Sequence, residues 1–336
     1  MSSTQLIEDP DLRKSLIYLV PKTVRHILHS HGAFVEMSFR PKNLTFYTSG
    51  TPPFSGRSSG FEEAQYVVIG IPYDKTSTYR SGAKFGPSAI REASSNIETY
   101  SLRTKIDVED LKIYDAGDLN VVDSVEETLK RIKLSVEDVV NSEKIPILIG
   151  GEHTLTYGAV QGIGSNVGLI SFDAHADMRN EYMGLHISHA TFMRRIAEGR
   201  GQKSILEVGI RALCKEEVEY ANETGVTMIT TQRLRELGPE RAAELVRAGA
   251  NKFERTYITI DIDVLDPAFA PAVGSPEGDG ICPNMLITIL NSICDQRTAG
   301  IDLVEVAPQY DTGATAAQAA RILFEALCAV QNSKVR

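Results

Sequence analysis

Positive charge, paired cysteines and long apolar runs are all scarce in this chain, and each shortage argues against a class of protein. Lys and Arg number 35 against 44 Asp and Glu, for a formal net charge of −9. No basic stripe is available to neutralise phosphates, which argues against a nucleic-acid or anionic-membrane partner. The sign suits a small cationic substrate. The four cysteines, Cys214, Cys282, Cys294 and Cys328, form no CxxC pair. Buried free thiols in a reducing cytoplasm are expected rather than a disulfide framework. No apolar run approaches the roughly 20 residues of a membrane span. The opening stretch MSSTQLIEDPDLRK carries acids and lacks the apolar core of a signal peptide. The expectation is a cytoplasmic, soluble chain.

What the chain does have is alternation. From about residue 66, apolar β-branched runs alternate with helical spacing: AQYVVIGIPYD, LKIYDAGD, IPILIGG, VGLISFDAHAD, SILEVGIR, VTMIT, YITIDIDVLD and IDLVEVAPQYD read as strands. Between them lie helical stretches such as PSAIREASSNIETYSL, SVEETLKRIKLSVEDVVNS, LGPERAAELVRAGANK and CPNMLITILNSICDQR. This order implies a mainly parallel sheet with helices on both faces. An open three-layer sandwich is the preferred form, with a closed barrel as the alternative. Residues 1–46 stand apart as an N-terminal extension before a catalytic domain at 47–336. Asp11–Val20 and Pro21–Ser30 read as two short helices, with Leu16, Leu19, Val20, Ile27 and Leu28 on their apolar faces.

Six polar residues follow three of the strand runs: His153 in GGEHT; Asp173, His175 and Asp177 in SFDAHADMR; Asp261 and Asp263 in ITIDIDVLDP. In an extended strand, i, i+2 and i+4 point to one side, so these residues are expected as rows of ligands at strand ends. Four carboxylates and two imidazoles crowded together would repel and desolvate one another unless cations sit among them. Six ligands are too many for one open catalytic ion and suit two ions bridged by carboxylates. Oxygen and nitrogen donors without thiolate favour Mn²⁺ over a structural zinc site; nickel, cobalt and iron stay open. Four of the seven histidines fall between residues 153 and 189. The HxxHxH pattern at His26, His29 and His31 reads as surface polarity rather than a further metal site.

These stretches, with IGIPYDKTSTYRSGAKFGPSAIREAS, DAGD, SHATFMRR, VGIR, SPEGDGI and DLVEVAP, resemble the ureohydrolase family of arginases, agmatinases, formiminoglutamases and guanidinobutyrases over about residues 47–336. The resemblance implies an arginase-like α/β/α sandwich with a central parallel sheet of about eight strands, and two Mn²⁺ per subunit. It implies that His153 and Asp177 hold one ion, His175 and Asp263 the other, and that Asp173 and Asp261 bridge them. His189 in SHATF looks like the family's proton-shuttling histidine, and Glu305 in VEVAP like the carboxylate that receives a guanidinium. It also implies a homo-oligomer, a trimer or hexamer.

The chemistry agrees with that likeness. A guanidinium stays charged in any ordinary site and fits a carboxylate in a two-point fork. Glu305 would present its carbon to a metal-bridging hydroxide, Asp263 would take or pass the hydroxide proton, and His189 would protonate the leaving amine. The substrate is expected to be set by the loop MRNEYMGLHIS. In arginases an Asn stands two places after the last Asp of the motif; here that place is Arg179, which breaks the arginase pattern. DMRNEYMG followed by SHATFMRR looks more like archaeal and bacterial agmatinases, and Glu181 would face a distal cation. The leading expectation is hydrolysis of agmatine to putrescine and urea, a step of polyamine biosynthesis. Guanidinobutyrase, arginase and formiminoglutamase activities are alternatives, as are a non-catalytic metal-binding relative and a one-zinc deacetylase of similar fold.

Overall fold

The structure is a computed structural model and describes residues 41–335. The two expected short helices, their apolar residues and the His26, His29 and His31 cluster lie outside the described residues. The described residues open with α1 (Lys42–Tyr47), the two-residue strand β1 (Thr48–Ser49), β2 (Tyr66–Ile71) and α2 (Gly86–Ser94). A small hairpin, β3 (Tyr100–Ser101) with β4 (Ile106–Asp107), precedes β5 (Ile113–Leu119), α3 (Val125–Asn141), β6 (Ile145–Gly150) and α4 (Leu155–Ile163). Then come β7 (Gly168–Phe172), α5 (Phe192–Arg200), β8 (Ile205–Ile210), α6 (Lys215–Thr224), β9 (Thr227–Thr230) and α7 (Thr231–Ala250). β10 (Thr256–Asp261), α8 (Pro283–Ile293), β11 (Thr298–Val304) and α9 (Ala314–Val335) complete it.

The main sheet has the order β1-β5-β2-β6-β11-β10-β7-β8-β9. Eight of its strands run parallel, and β1 adds an antiparallel edge on β5 through Thr48 and Ser49. The sheet is open, with β1 and β9 at its edges, so the barrel alternative does not hold. Nine strands instead of eight follow from that edge, a two-residue stretch too short to show a period. Alternate residues of each central strand serve opposite layers, as the pleat requires. Ile147 and Ile149, Ile258 and Ile260, and Ile301 and Leu303 face α2, α7, α8 and α9. Leu148, Leu169, Tyr257 and Val304 face the layer of α3, α4 and α5. Among the described residues, no helix is long and apolar enough to cross a membrane.

Several elements differ from the expected ones. The helix expected through Leu102 stops at Ser94, where the hydroxyls of Ser94 and Ser95 donate to the Arg91 carbonyl at 2.7 and 3.0 Å and compete with the helical ladder. The helix expected from Leu237 starts at Thr231, because the Thr230 hydroxyl caps it by accepting from the Arg233 N–H; Gly238, at φ 74°, breaks it before Pro239. The helix expected through Arg297 stops at Ile293, and β11 begins at Thr298. α1 is not among the expected elements; the Asp138 carboxylate of α3 accepts from the backbone N–H groups of Asn43 and Leu44 at its start.

Candidate metal centre

Four adjacent central strands, β6, β11, β10 and β7, end on one side of the sheet. The chain passes from β6 to β7 across a gap that β10 and β11 later fill. This reversal of winding opens a crevice at the carboxyl ends, the place where open α/β sheets hold ligands. His153 arrives after β6, Asp173, His175 and Asp177 after β7, Asp261 and Asp263 at the end of β10, and Glu305 directly after β11.

The extended rows expected from the spacing are not formed. β7 ends at Phe172, so Asp173, His175 and Asp177 lie in the loop beyond it, and Asp177 takes a left-handed φ of 52°. Asp263 lies in a tight 3₁₀ turn, Ile262–Val264, rather than on the strand. Side chains aimed at one point cannot all stand in parallel rows, and the turns supply the convergence. Glu305 is also left-handed, at φ 66°; both residues hold a sparsely populated conformation at the site. Gly151 is required by close approach, since a Cβ there would lie 1.9 Å from the Tyr73 carbonyl oxygen.

The geometry then builds itself from half-satisfied carboxylates. Asp173 Oδ1 accepts from the His175 N–H at 2.6 Å, Asp261 Oδ1 from the Asp263 N–H at 2.8 Å, and Asp263 Oδ1 from the Ala174 N–H at 3.1 Å. In each the second oxygen turns inward. His153 Nδ1 lies 3.0 Å from Asp173 Oδ2, 3.4 Å from Asp261 Oδ2 and 3.5 Å from Asp177 Oδ2. His175 Nδ1 lies 3.0 Å from Asp263 Oδ2 and 3.6 Å from Asp173 Oδ1. Two sets able to hold a metal ion result: His153 with Asp173 and Asp261, and His175 with Asp173 and Asp263. Asp173 belongs to both, whereas Asp261 stands with the first set.

Two observations fit cations here. Buried His153 Nδ1 has no hydrogen-bond partner, while its Nε2 meets the Thr259 hydroxyl at 2.8 Å. Thr259 also meets the buried Asp302, which takes further hydroxyl donors from Thr156 at 2.9 Å and Tyr257 at 2.8 Å. A threonine whose proton goes to Asp302 must accept from His153, so Nε2 carries the hydrogen and the Nδ1 lone pair faces carboxylate oxygens. That face needs a cation or an extra proton. The charges say the same. Burial would lower His153, but Asp173 and Asp261 outweigh it and hold the imidazole well above its ordinary range. Asp261 and Asp177 are pushed up by burial and by the neighbouring Asp carboxylates.

Above the cluster lies a cavity of about 560 Å³, lined by His175, Asp177, Asp261, Asp263, His189 and Glu305 among others. Glu305 Oε1 accepts from the His153 N–H at 2.7 Å; burial first, then Glu152, push this carboxyl up to about 8. His189 is pushed down to about 4, chiefly by burial and then by His175 and His153. Arg179 lines the cavity with its guanidinium 4.9 Å over the Tyr182 ring. Glu181 is outside it, exposed and facing His186 Nε2 at 3.5 Å. Glu277, by contrast, lies at the wall with Oε1 3.8 Å from His175 Nε2. Sequence reasoning did not single out Thr259, Asp302 or the buried Glu207, which burial pushes well above its ordinary value. The signal was an acid inside an apolar strand, in IDLVEV and SILEVGIR.

The model of the Arginase family matches residues 64–329. The chain is 37% identical to an agmatinase of Bacillus subtilis, the match covering 80% of this chain and 92% of that one. It is 36% identical to an N(1)-aminopropylagmatine ureohydrolase of Thermococcus kodakarensis, again over 80% and 92%. The crystal structure of the agmatine ureohydrolase of Thermoplasma volcanium superposes with a TM-score of 0.80 at 35% identity, covering 85% of this chain and 97% of that one. With the crevice, the paired carboxylate–imidazole sets and this span of likeness together, the chain belongs to the arginase family.

Proposed function

We propose that this chain is a binuclear-metal hydrolase of guanidino compounds, with agmatine as its substrate and putrescine and urea as products. The observation that carries the reading is the pair of carboxylate–imidazole sets sharing Asp173 beneath a cavity that holds Glu305 and His189. Divalent cations at such a site bring the pKa of bound water toward about 7, so that hydroxide is at hand without a side-chain nucleophile. The chain's own groups do the rest. Glu305 receives the planar guanidinium and aims its carbon at the carboxylate cluster. Water adds its oxygen to that carbon, and Asp263 takes the proton it sheds. The bond from carbon to the substituted nitrogen breaks, and His189 returns a proton to the departing amine. Oxygen-rich donors favour Mn²⁺; His153, Asp177 and Asp261 would hold one ion, His175 and Asp263 the other, and Asp173 would serve both. The same reading makes the protein a cytoplasmic homo-oligomer, in keeping with four free cysteines.

For the tail of agmatine, Glu277 offers a carboxylate at the cavity wall. A second reading rests on Arg80 and Arg179. Both line the cavity and stack on Tyr79, Tyr310 and Tyr182, and neither has a carboxylate partner among the described residues. Two such cations favour a guanidino acid. Purified, Mn²⁺-loaded protein assayed against agmatine, 4-guanidinobutyrate and arginine decides. Agmatine turning over best is expected; 4-guanidinobutyrate leading would select the second reading, and arginine leading would overturn both.

A further inference from the structure

Glu152 stands one residue before His153, fully buried, yet it belongs to neither metal-holding set. Its carboxylate faces away, toward the Thr76 loop. Oε1 accepts from the hydroxyls of Thr76 and Thr154, each at 2.6 Å. Oε2 accepts from the backbone N–H groups of Thr76 at 2.7 Å and Ser77 at 3.1 Å. Thr76, itself buried, reaches on to His189: its Oγ1 lies 3.0 Å from the His189 backbone N–H and 3.2 Å from ring Nδ1. Tyr182 stands edge-on to the ring with centroids 5.9 Å apart.

Hydrogen counting turns this contact into a statement about His189. A threonine hydroxyl has one proton and two lone pairs, and an ionised carboxylate only accepts. Five donors converge on Glu152, the Ser77 hydroxyl at 3.4 Å being the longest, and the Thr76 proton is committed to it. Thr154 Oγ1, 3.3 Å from Thr76 Oγ1, gives its own proton to Glu152, so the two lone pairs of Thr76 Oγ1 are left for the two nitrogens of His189. Ring Nδ1 must then carry a hydrogen, and the neutral ring keeps its free lone pair on Nε2.

We propose that Glu152, acting through Thr76, holds His189 as the Nδ1–H tautomer, so that the proton it gains and gives up is always the one on Nε2. Both are positioning residues. The inference about proton delivery rests on the hydrolase reading above; the tautomer does not. The same carboxylate pins the start of the Ser77–Arg80 segment that walls the cavity.

The test is the ¹⁵N spectrum of histidine-labelled, full-length protein, metal-free and loaded with diamagnetic zinc. The His189 signals are assigned by their loss in His189→Asn. The expected wild-type pattern is a protonated Nδ1 and an unprotonated Nε2. Thr76→Ser should keep it, while Thr76→Val and Glu152→Gln should give a tautomer mixture. With Mn²⁺ and the best guanidino substrate, Thr76→Val should lower kcat by about 10-fold or more with KM little changed, and Thr76→Ser should restore it. A wild-type ring protonated on Nε2, or an Nδ1–H ring that persists in Thr76→Val, overturns the proposal. If no guanidino compound is hydrolysed at all, the hydrolase reading fails, and the spectra still judge the tautomer.

Discussion

Asp173 is where the two ligand sets meet, with Oδ2 toward His153 and Oδ1 toward His175. Burial would raise this carboxyl, but the two imidazoles hold it well below its ordinary value, so it is the member of the cluster best kept as an anion. Removing it takes a donor from both sets at once. Asp173→Ala should lower bound metal measured by elemental analysis. Its activity should fall by more than the about 10–100-fold that follows loss of an outer partner of a metal ligand. Near-normal turnover with two ions still bound would contradict the shared role. The neighbouring Asp261, set with His153 alone, gives a like-for-like comparison.

At the scale of elements, β5 is held in place by charge as well as by apolar packing. Arg91 of α2 is buried and grips Asp115 of β5 with a two-point fork, Nε to Oδ2 at 2.8 Å and Nη2 to Oδ1 at 2.9 Å. Its Nη1 bonds Asp118, and Asp115 also accepts from the backbone N–H groups of Phe54 and Gly117. The DAGD stretch therefore ties α2, β5 and the loop at Phe54 together. A buried carboxylate left without its cation is costly, and Arg91→Met should lose about 3–5 kcal/mol of unfolding free energy in urea titration. A loss below about 1 kcal/mol would show that hydrogen bonds from the loop suffice for Asp115.

The whole molecule should register its carboxylate cluster as a pH dependence of folding. In the metal-free chain, burial holds Asp177, Asp261 and Glu207 above their ordinary values and Glu305 up to about 8. Their carboxylate neighbours hold His153 and His175 above theirs. A folded state with raised values binds more protons than the unfolded chain, so stability must fall as pH rises between about 4.5 and 8. Asp173, held low, acts in the opposite sense at the acid end, and His189, pushed down to about 4, opposes the trend up to about pH 6.5, one group against those six raised ones. The expected result is a Tm of metal-free protein that drops from pH 5 to pH 8.5. Manganese should reverse the trend, because ligation requires the same groups to shed their protons. Calorimetry in buffers of different ionisation enthalpy should show proton release on binding. A metal-free Tm that climbs through this window would contradict the buried cluster.

Residue order and side-chain type by themselves determined the layered α/β plan, the eight parallel strands and the identity of the residues gathered at the crevice. Those features repeat locally, in apolar runs and short polar motifs that read without knowledge of distant partners. Other features depended on residues far apart in the chain. The Thr48–Ser49 edge exists only because Asp118 and Leu119 lie beside it, and the hairpin at Tyr100 only because Ile106 and Asp107 return to it. That Asp173 belongs to both sets and Asp261 to one, that Glu181 points outside the cavity, and that Asp302 and Glu152 stand behind two histidines were all decided by tertiary structure. The reason is physical: a hydrogen bond or a ligand set depends on where atoms meet in space. The contacts here join residues as distant as His153 and Glu305, whose meeting no periodicity encodes.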